Sequence, residues 1–206
     1  MSGMLQIKSF TFGPFETNTY VVSDDQGNVL LIDPACSDEY EQQQLEECIQ
    51  PLTANRSPLT ILATHGHLDH LWGAKWASGR WHTPVLMHET DIPMAQAMQA
   101  QYDLFGVRRK AEPFPLEPLI PSSVHPFHII HTPGHTPGSI CLYCAEEKIL
   151  FSGDTLFHCG YGRTDLPGGN MTQLISSLEH LFTLPPDTQV FPGHGDFTVL
   201  SHEKYR

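Results

Sequence analysis

Short apolar or alternating runs separated by turn-forming residues dominate the first third of the chain. Three such runs can be recognised: residues 5–12, 19–23 and 29–32. Gly13-Pro14 and residues 24–27 lie between them, and runs of this length bounded by glycine, proline and aspartate are typical of β-strands. Apolar side chains then recur every three or four residues up to Leu52, as one face of a helix requires. We therefore predict three strands followed by a helix whose N-cap is Ser37.

The rest of the chain alternates between strand-like and helix-like patterns. Strands are predicted at residues 59–63, 85–87, 127–130, 140–144, 149–151 and 189–191. Helices are predicted at residues 71–76, 92–102 and 171–184. Residues 103–123 carry four prolines and show no period, so we expect a stiff surface loop there. This alternation indicates a layered α/β protein, and 206 residues fit one domain spanning residues 1–206.

Composition narrows the partners of such a domain. Asp and Glu total 23 against 11 Lys and Arg, and the net charge of −12 disfavours a nucleic acid partner. No apolar run approaches the ~20 residues that span a bilayer, and no signal-peptide pattern is visible, so no membrane partner is expected. Five irregularly spaced cysteines favour the cytoplasm over a disulfide-bonded setting. Cys141 and Cys144 lie three apart on a predicted strand and should face opposite sides of it, as core residues rather than ligands of one zinc.

Histidine is unusually frequent, with 13 residues, and its placement indicates metal binding. Four metal-capable side chains directly follow the strand predicted at 59–63: His65, His67, Asp69 and His70. In an extended turn His65 and His67 can face one point, whereas Asp69 and His70 leave the backbone in another direction and can serve a second ion. Imidazole and carboxylate suit zinc, iron or manganese, and the lack of thiolate argues against a closed structural zinc site.

Three further donors are placed in the same way along the chain. His135, Asp154 and His194 each come just after an apolar run and a turn that contains glycine. Together with His65 they give four strand ends, each of which carries a donor. If those strands point the same way, all the donors reach one rim of the sheets, where loops on a rigid scaffold form sites.

The motif H-x-H-x-D-H, followed by single His, Asp and His donors, resembles the metallo-β-lactamase superfamily. The resemblance extends over nearly the whole chain and implies an α/β fold, the four-layer αββα sandwich. The ligand sets that it implies are His65, His67 and His135 for a first divalent metal ion, Asp69, His70 and His194 for a second, and Asp154 as a bridge. Zinc is the expected metal, and iron or manganese would accept the same donors. The histidines without such partners are expected at the surface or in hydrogen bonds: His82, His88, His125, His128, His180 and His202.

Two such ions define the chemistry that the resemblance implies. Ions about 3.5–4 Å apart lower the pKa of a shared water, so a hydroxide that bridges them serves as the nucleophile. Asp69 and Asp154 are the catalytic candidates, and we expect Asp69 also to orient the hydroxide. Five neutral imidazoles, two carboxylates, two divalent ions and the hydroxide give a charge of +1. A positive centre in an acidic protein suits an anionic or carbonyl-bearing substrate.

The stretch S-G-D-T-L-F at 152–157 resembles the glyoxalase II-like subgroup of the superfamily. That resemblance implies hydrolysis of a small hydroxyacyl thioester, whose thiolate leaves readily because its pKa is about 8.5. The length and the G-R-T-D loop resemble the short single-domain bacterial members, so glutathione as the thiol stays open. Tyr161, Arg163 and Asp165 are the substrate-binding candidates, and Arg163 either binds an anionic substrate group or pairs with Asp165. Cys159 is expected to be a small buried residue rather than a nucleophile.

Three other functions compete with thioester hydrolysis. Persulfide dioxygenases of the same superfamily hold one iron in a two-His, one-carboxylate site, for which His65, His135 and Asp154 would serve. The second is a metal-holding interaction module, and the third is hydrolysis of a β-lactam or lactone, since fold does not settle the substrate. The complete second set of donors favours two-metal hydrolysis. Oligomeric state stays open.

Overall fold

The first of the two sheets carries the predicted N-terminal strands and the strands that follow them. In the computed structural model, which describes residues 4–54, 58–120 and 124–204, this sheet has six strands. In spatial order they are β1 (Gln6–Phe12), β2 (Thr17–Ser23), β3 (Val29–Ile32), β4 (Leu59–Leu62), β5 (Val85–Met87) and β6 (Leu116–Pro118). The first three strands pair antiparallel and the last four pair parallel. The carboxyl ends of β3, β4 and β5 therefore meet at one edge.

The second sheet contains the strands of the C-terminal half. Its members are β7 (His128–His131), β8 (Ile140–Cys144), β9 (Ile149–Gly153), β12 (Gln189–Pro192) and β13 (Thr198–Val199), in the order β13-β12-β9-β8-β7. A separate two-stranded ribbon is formed by β10 (Leu156–Phe157) and β11 (Gly160–Tyr161). β9 and β12 run parallel, so their carboxyl ends also lie together. The two sheets meet where Asn18 donates its backbone N–H to the carbonyl of Gly193.

Helices cover the outer faces of both sheets. Their bounds are α1 (Glu39–Thr53), α2 (Ala74–Trp81), α3 (Ile92–Gln96), α4 (Met98–Leu104), α5 (Met171–Leu181) and α6 (Leu200–Glu203), and a 3₁₀ turn spans Glu89–Asp91. No helix in the described ranges has the length and apolar character needed to cross a membrane.

Neighbouring residues of a strand face opposite sides of the sheet, so each sheet contributes side chains to two buried clusters. Three such clusters hold the layers together. In the first sheet Val21 faces the cluster under α1, α2 and α4, while Val22 faces the cluster between the sheets. In the second sheet Cys141 faces the cluster under α5 and α6, while Cys144 faces the cluster between the sheets. The layer order is therefore helices, sheet, sheet and helices, which confirms the predicted αββα sandwich. The two cysteines are both buried and face opposite sides, as predicted.

Several element boundaries differ from the predictions for local reasons. The N-cap of α1 is Asp38 instead of Ser37, because the Asp38 carboxylate accepts the N–H of Glu41. The helix predicted at 71–76 begins at Ala74, and the one predicted to end at 184 ends at Leu181. The helix predicted at 92–102 is two helices, since Ala97 leaves helical geometry with φ −84° and ψ 26°.

The segment predicted as an irregular loop, residues 103–123, contains a strand. β6 lies at the edge of the first sheet and includes Pro118. An edge strand tolerates proline because one side of it has no ladder to complete. Residues 121–123 lie outside the described part of the chain. The short β10, β11 and β13 had no sequence signal and were not predicted.

Candidate metal centre

Three histidines converge at the edge where β4 and β7 deliver their loops. His65 Nε2 lies 3.1 Å from His67 Nδ1, which lies 2.8 Å from His135 Nε2. All three side chains are buried. We call His65, His67 and His135 the inner group. Their ligand atoms are close enough to share one metal ion.

A second set of donors lies beside the first. His194 Nε2 is 3.1 Å from Asp69 Oδ2, and His70 Nε2 is 3.4 Å from the same oxygen. We call Asp69, His70 and His194 the outer group, which could also hold one ion. The outer group is more open, because the side chains of Asp69 and His194 are 16% and 28% exposed.

Asp154 lies between the two groups and contacts both. Its Oδ1 is 3.2 Å from His70 Nε2, and its Oδ2 is 3.4 Å from His135 Nε2 and 3.5 Å from His194 Nε2. Gly193 makes this position possible, since a Cβ there would collide with the Asp154 carboxylate and the His70 ring. All seven side chains predicted as donors therefore lie together, in the two predicted sets with Asp154 between them.

The arrangement fits metal ions better than it fits a hydrogen-bonded core. His70 Nε2 and Asp154 Oδ1 are buried, yet within the described chain neither has a hydrogen-bond partner, because the 3.2 Å approach between them is poorly aligned. Leaving a buried polar atom unpaired costs about 1–3 kcal/mol. Buried imidazole nitrogens and carboxylate oxygens that point at a common centre are stabilised when a cation lies among them.

In His135 and His194 the ring nitrogen that faces away from the centre contacts a backbone carbonyl. His135 Nδ1 lies 2.7 Å from the carbonyl of Arg163. His194 Nδ1 lies 3.1 Å from the carbonyl of Phe15. Donation from Nδ1 to a carbonyl orients each imidazole so that Nε2 is directed at the centre, where it would coordinate a bound cation.

Two buried carboxylates that sequence analysis did not single out support the donors. Asp33 contacts His70 Nδ1 at 2.8 Å and accepts the backbone N–H and the hydroxyl of Thr64. It directly follows an apolar strand, the same signal that marked the other donors, so the sequence contained the clue. Asp91, in contrast, lies in the 3₁₀ turn far from the histidine-rich motif and had no comparable signal.

Asp91 ties together the two loops that carry the inner group. Its carboxylate accepts the N–H of Gly66, which lies between His65 and His67, at 2.8 Å. It also accepts the hydroxyl of Thr136 at 2.6 Å and the N–H of Gly138 at 2.6 Å, in the loop of His135. Because Asp91 is fully buried, these charge-assisted bonds are strong and fix the spacing of the two loops.

Burial and neighbouring charges set the protonation of the donors. Burial and the adjacent imidazole of His135 lower the pKa of His67 to about 4, so its ring is neutral and able to bind a cation. In His194 burial lowers the pKa, but hydrogen bonds to Asp154 and Asp69 outweigh it and raise the value to about 9. Burial opposes ionisation of Asp69, but the charge of His70 prevails and its pKa falls to about 2.

The predicted substrate-binding residues lie at the surface beside the centre. Arg163 pairs with Asp165 through two contacts of 2.7 Å, so of the two roles considered for this guanidinium the structure shows the pairing. Tyr161 is 52% exposed. Cys159 was expected to be buried, and this is wrong: it is exposed in the turn between β10 and β11, where its φ of +59° places it in the left-handed region.

An αββα sandwich with clustered histidine and aspartate donors at the edge of its sheets defines a class of metal-binding proteins. Comparison with known proteins identifies the family within that class. The model of the metallo-beta-lactamase superfamily matches residues 12–194, and the chain belongs to this superfamily.

Relatives extend the comparison over almost the full chain. The probable metallo-hydrolase YqgX of Bacillus subtilis is 37% identical, covering 93% of this chain and 91% of YqgX. The hydroxyacylglutathione hydrolase GloC of Haemophilus influenzae is 34% identical, covering 92% of this chain and 91% of GloC. Among solved structures, TTHA1623 in a di-iron-bound form is 36% identical with a TM-score of 0.84, covering 96% of this chain and 97% of that one. The chain is thus similar to metallo-hydrolases.

Proposed function

We propose that this chain is a metal-dependent hydrolase that cleaves small hydroxyacyl thioesters. The observation that carries the proposal is the complete outer group beside the inner group, with Asp154 in contact with both. The inner group would hold one divalent ion and the outer group a second. Such ions lower the pKa of water toward neutrality and polarise a carbonyl, which is the chemistry that hydrolysis needs.

The metal itself is proposed from the donors and from one relative. Five imidazoles and two carboxylates accept zinc, iron or manganese. Zinc is our first choice for these donors, and the di-iron form of TTHA1623 supports iron as the next to test.

The acids around the centre support a thioester in preference to a substrate with a poorer leaving group. Asp69 and Asp154 lie among the donors, and Asp33 and Asp91 are committed to hydrogen bonds with the loops that carry the donors. Asp165, which lies at the surface beside the centre, is paired with Arg163. A thiolate can leave without a proton from such an acid, since its pKa is about 8.5. The similarity to GloC supports the same substrate class.

The test is metal analysis of the purified protein alongside hydrolysis of S-lactoyl thioesters of several thiols. We expect two ions per chain and metal-dependent release of thiol. His135→Ala should lose inner-group metal and nearly all turnover. His128→Ala is the matched control, because His128 is an exposed histidine on β7 outside both groups.

Persulfide oxidation is tested with the same preparations. Oxygen uptake with a persulfide, one iron per chain and no thioester hydrolysis would contradict the proposal. Full activity of His135→Ala with undiminished metal content would contradict the assignment of the inner group.

A further inference from the structure

An apolar cavity of about 370 Å³ opens beside the inner group. Met94 of α3 and Leu104 of α4 form one side of it, and Leu166 and Pro167, from the loop after β11, form the other. His67 lines the same cavity. The cavity is therefore continuous with the metal centre through a side chain that belongs to both.

Few polar side chains line the cavity, and the amide among them is hydrogen-bonded within the protein. None of its lining residues is charged, and the only amide side chain is that of Gln101. Gln101 Oε1 accepts the N–H of Leu68 at 3.0 Å, while Nε2 donates to the carbonyls of Gly66 and Met94. Both N–H groups of this amide are thus used within the protein. His67 directs Nδ1 at the inner group. Apart from the other ring nitrogen of His67, the side chains that line the cavity offer apolar contact.

The mouth of the cavity keeps large apolar side chains in contact with water. Leu104 is 61% exposed and Phe105 is 39% exposed. Small residues leave the space open, since Ala97 and Ala100 line it from the helical side. Exposed apolar surface beside a concave site is typical of a ligand-binding surface, because covering it releases the cost of hydrating it.

The opposite wall of the cavity lies close to α3 because it contains a glycine. Gly168 has a φ of +92°, and a Cβ there would lie 2.9 Å from Pro137 Cδ and 3.3 Å from Met94 Cε. A larger residue would strain the backbone and push the wall away from α3.

We propose that this cavity binds an uncharged hydrocarbon arm of the substrate, so that the chain selects thioesters with an apolar arm over those with a charged one. This inference rests on the proposed thioester hydrolysis. The carboxylates and ammonium of a thiol such as glutathione would find no charged partner among the residues that line the cavity. The hydrocarbon arm can belong to the acyl group or to the thiol, and the experiment separates these two sources.

The kinetic test uses two series of thioesters. One keeps a small thiol and lengthens the acyl group from acetyl to octanoyl, and the other keeps acetyl and lengthens the alkanethiol from ethyl to octyl. We expect kcat/KM to rise about fourfold per added methylene in one series until the cavity is filled, as burial of a methylene predicts. The series that responds identifies the arm.

The variant Ala100→Leu narrows the cavity, and leucine suits a helix nearly as well as alanine. It should remove most of the gain in kcat/KM with chain length. Gln96→Leu is the control, because Gln96 is an exposed residue of the adjacent α3 that does not line the cavity. It should keep the wild-type dependence on chain length.

Binding provides a readout that does not need turnover. Titration calorimetry with alkanoates from acetate to octanoate, and with the matching alkanethiols, should show affinity that rises with chain length in the metal-loaded protein and not in Ala100→Leu. If no thioester is hydrolysed, the proposed function fails, and these titrations still decide the inference. A flat dependence in both kinetics and binding, or one that Ala100→Leu leaves intact, would overturn it.

Discussion

The inner group consists of three imidazoles and the outer group of two imidazoles and a carboxylate, and the two groups are held differently. His65, His67 and His135 are buried, and the loops that carry them are joined by the fully buried Asp91. The outer group includes the partly exposed His194, which is anchored to the carbonyl of Phe15 in the turn between β1 and β2. The inner group is therefore wholly buried, whereas in the outer group His70 is buried and Asp69 and His194 lie at the exposed edge of the site.

This difference in burial predicts that losing a donor has different consequences in the inner group and in the outer group. A buried donor that is lost leaves its neighbours unpaired in a low dielectric, whereas water can replace a donor at the exposed edge. Metal bound by the inner group should consequently be the more tightly held.

The largest effect is expected from removing a donor that serves more than one group. His65 belongs to the inner group and also lies within reach of His70 and Asp154, whereas His194 belongs to the outer group alone. His65→Ala should lower both metal affinity and kcat by more than about a hundredfold, the upper range for losing a residue that only supports a ligand, so that little metal stays bound. His194→Ala should keep one ion per chain. Elemental analysis and steady-state kinetics measure this.

The reverse result would contradict the comparison. A His65→Ala protein that keeps an ion, beside a His194→Ala protein that keeps none, would show that the outer group is the tighter one. Circular dichroism checks that both variants are folded.

A smaller effect is expected when the tie between the two inner loops is weakened. Asp91→Asn replaces one acceptor oxygen with an amide that faces N–H and hydroxyl donors. Hydrogen bonds to a buried charge contribute about 1.5–3 kcal/mol each, so the free energy of unfolding should fall by about 3 kcal/mol. Affinity for the inner ion should fall about 10- to 100-fold, while the outer ion is unaffected. Urea denaturation and metal titration give the two quantities.

Asp187→Asn is the matched control for this carboxylate. Asp187 makes an exposed ion pair with Lys148, and its loss should leave metal affinity and stability unchanged within error. Equal effects of the two substitutions would show that Asp91 has no special role in holding the inner loops.

Local patterns allowed the layered α/β class and the donors to be predicted, whereas the four-layer order was implied by the resemblance to the metallo-β-lactamase superfamily. The four donors that follow a strand end, and the three that accompany His65 in the H-x-H-x-D-H motif, can be recognised without tertiary information, and the structure brings all seven together. Their role as ligands stays a prediction, which metal analysis of the variants tests. Asp91 could not be recognised in this way, because its importance comes from two loops, around Gly66 and Thr136, that meet only in the folded protein.

The errors in the fold have a similar origin. β6 is three residues long and exists because the edge of β5 accepts it, so no period marks it in the sequence. The break at Ala97 divides a continuous apolar stripe and likewise has no local signal. The exposed Cys159 was misjudged because its turn follows from the pairing of β10 with β11.

Stepwise removal of metal tests the difference in burial without a substitution. A chelator added in increasing amounts should take the outer ion first, giving a species with one ion per chain and little activity. Since a bound ion stabilises the folded state by mass action, thermal unfolding should show two separate drops in Tm, the larger on loss of the inner ion. Loss of both ions in one step would mean that the two groups do not differ in affinity.

The smallest effect is expected at Arg163, whose contribution to the centre comes from its backbone. Its carbonyl lies 2.7 Å from His135 Nδ1, while its guanidinium is exposed and paired with Asp165. Arg163→Ala keeps the carbonyl, so metal content, kcat and Tm should match the wild type within error. Glu46→Ala is a control that breaks another exposed pair, with Arg80, away from the centre. A KM that rises only in Arg163→Ala would show that the guanidinium leaves Asp165 to bind an anionic group of the substrate.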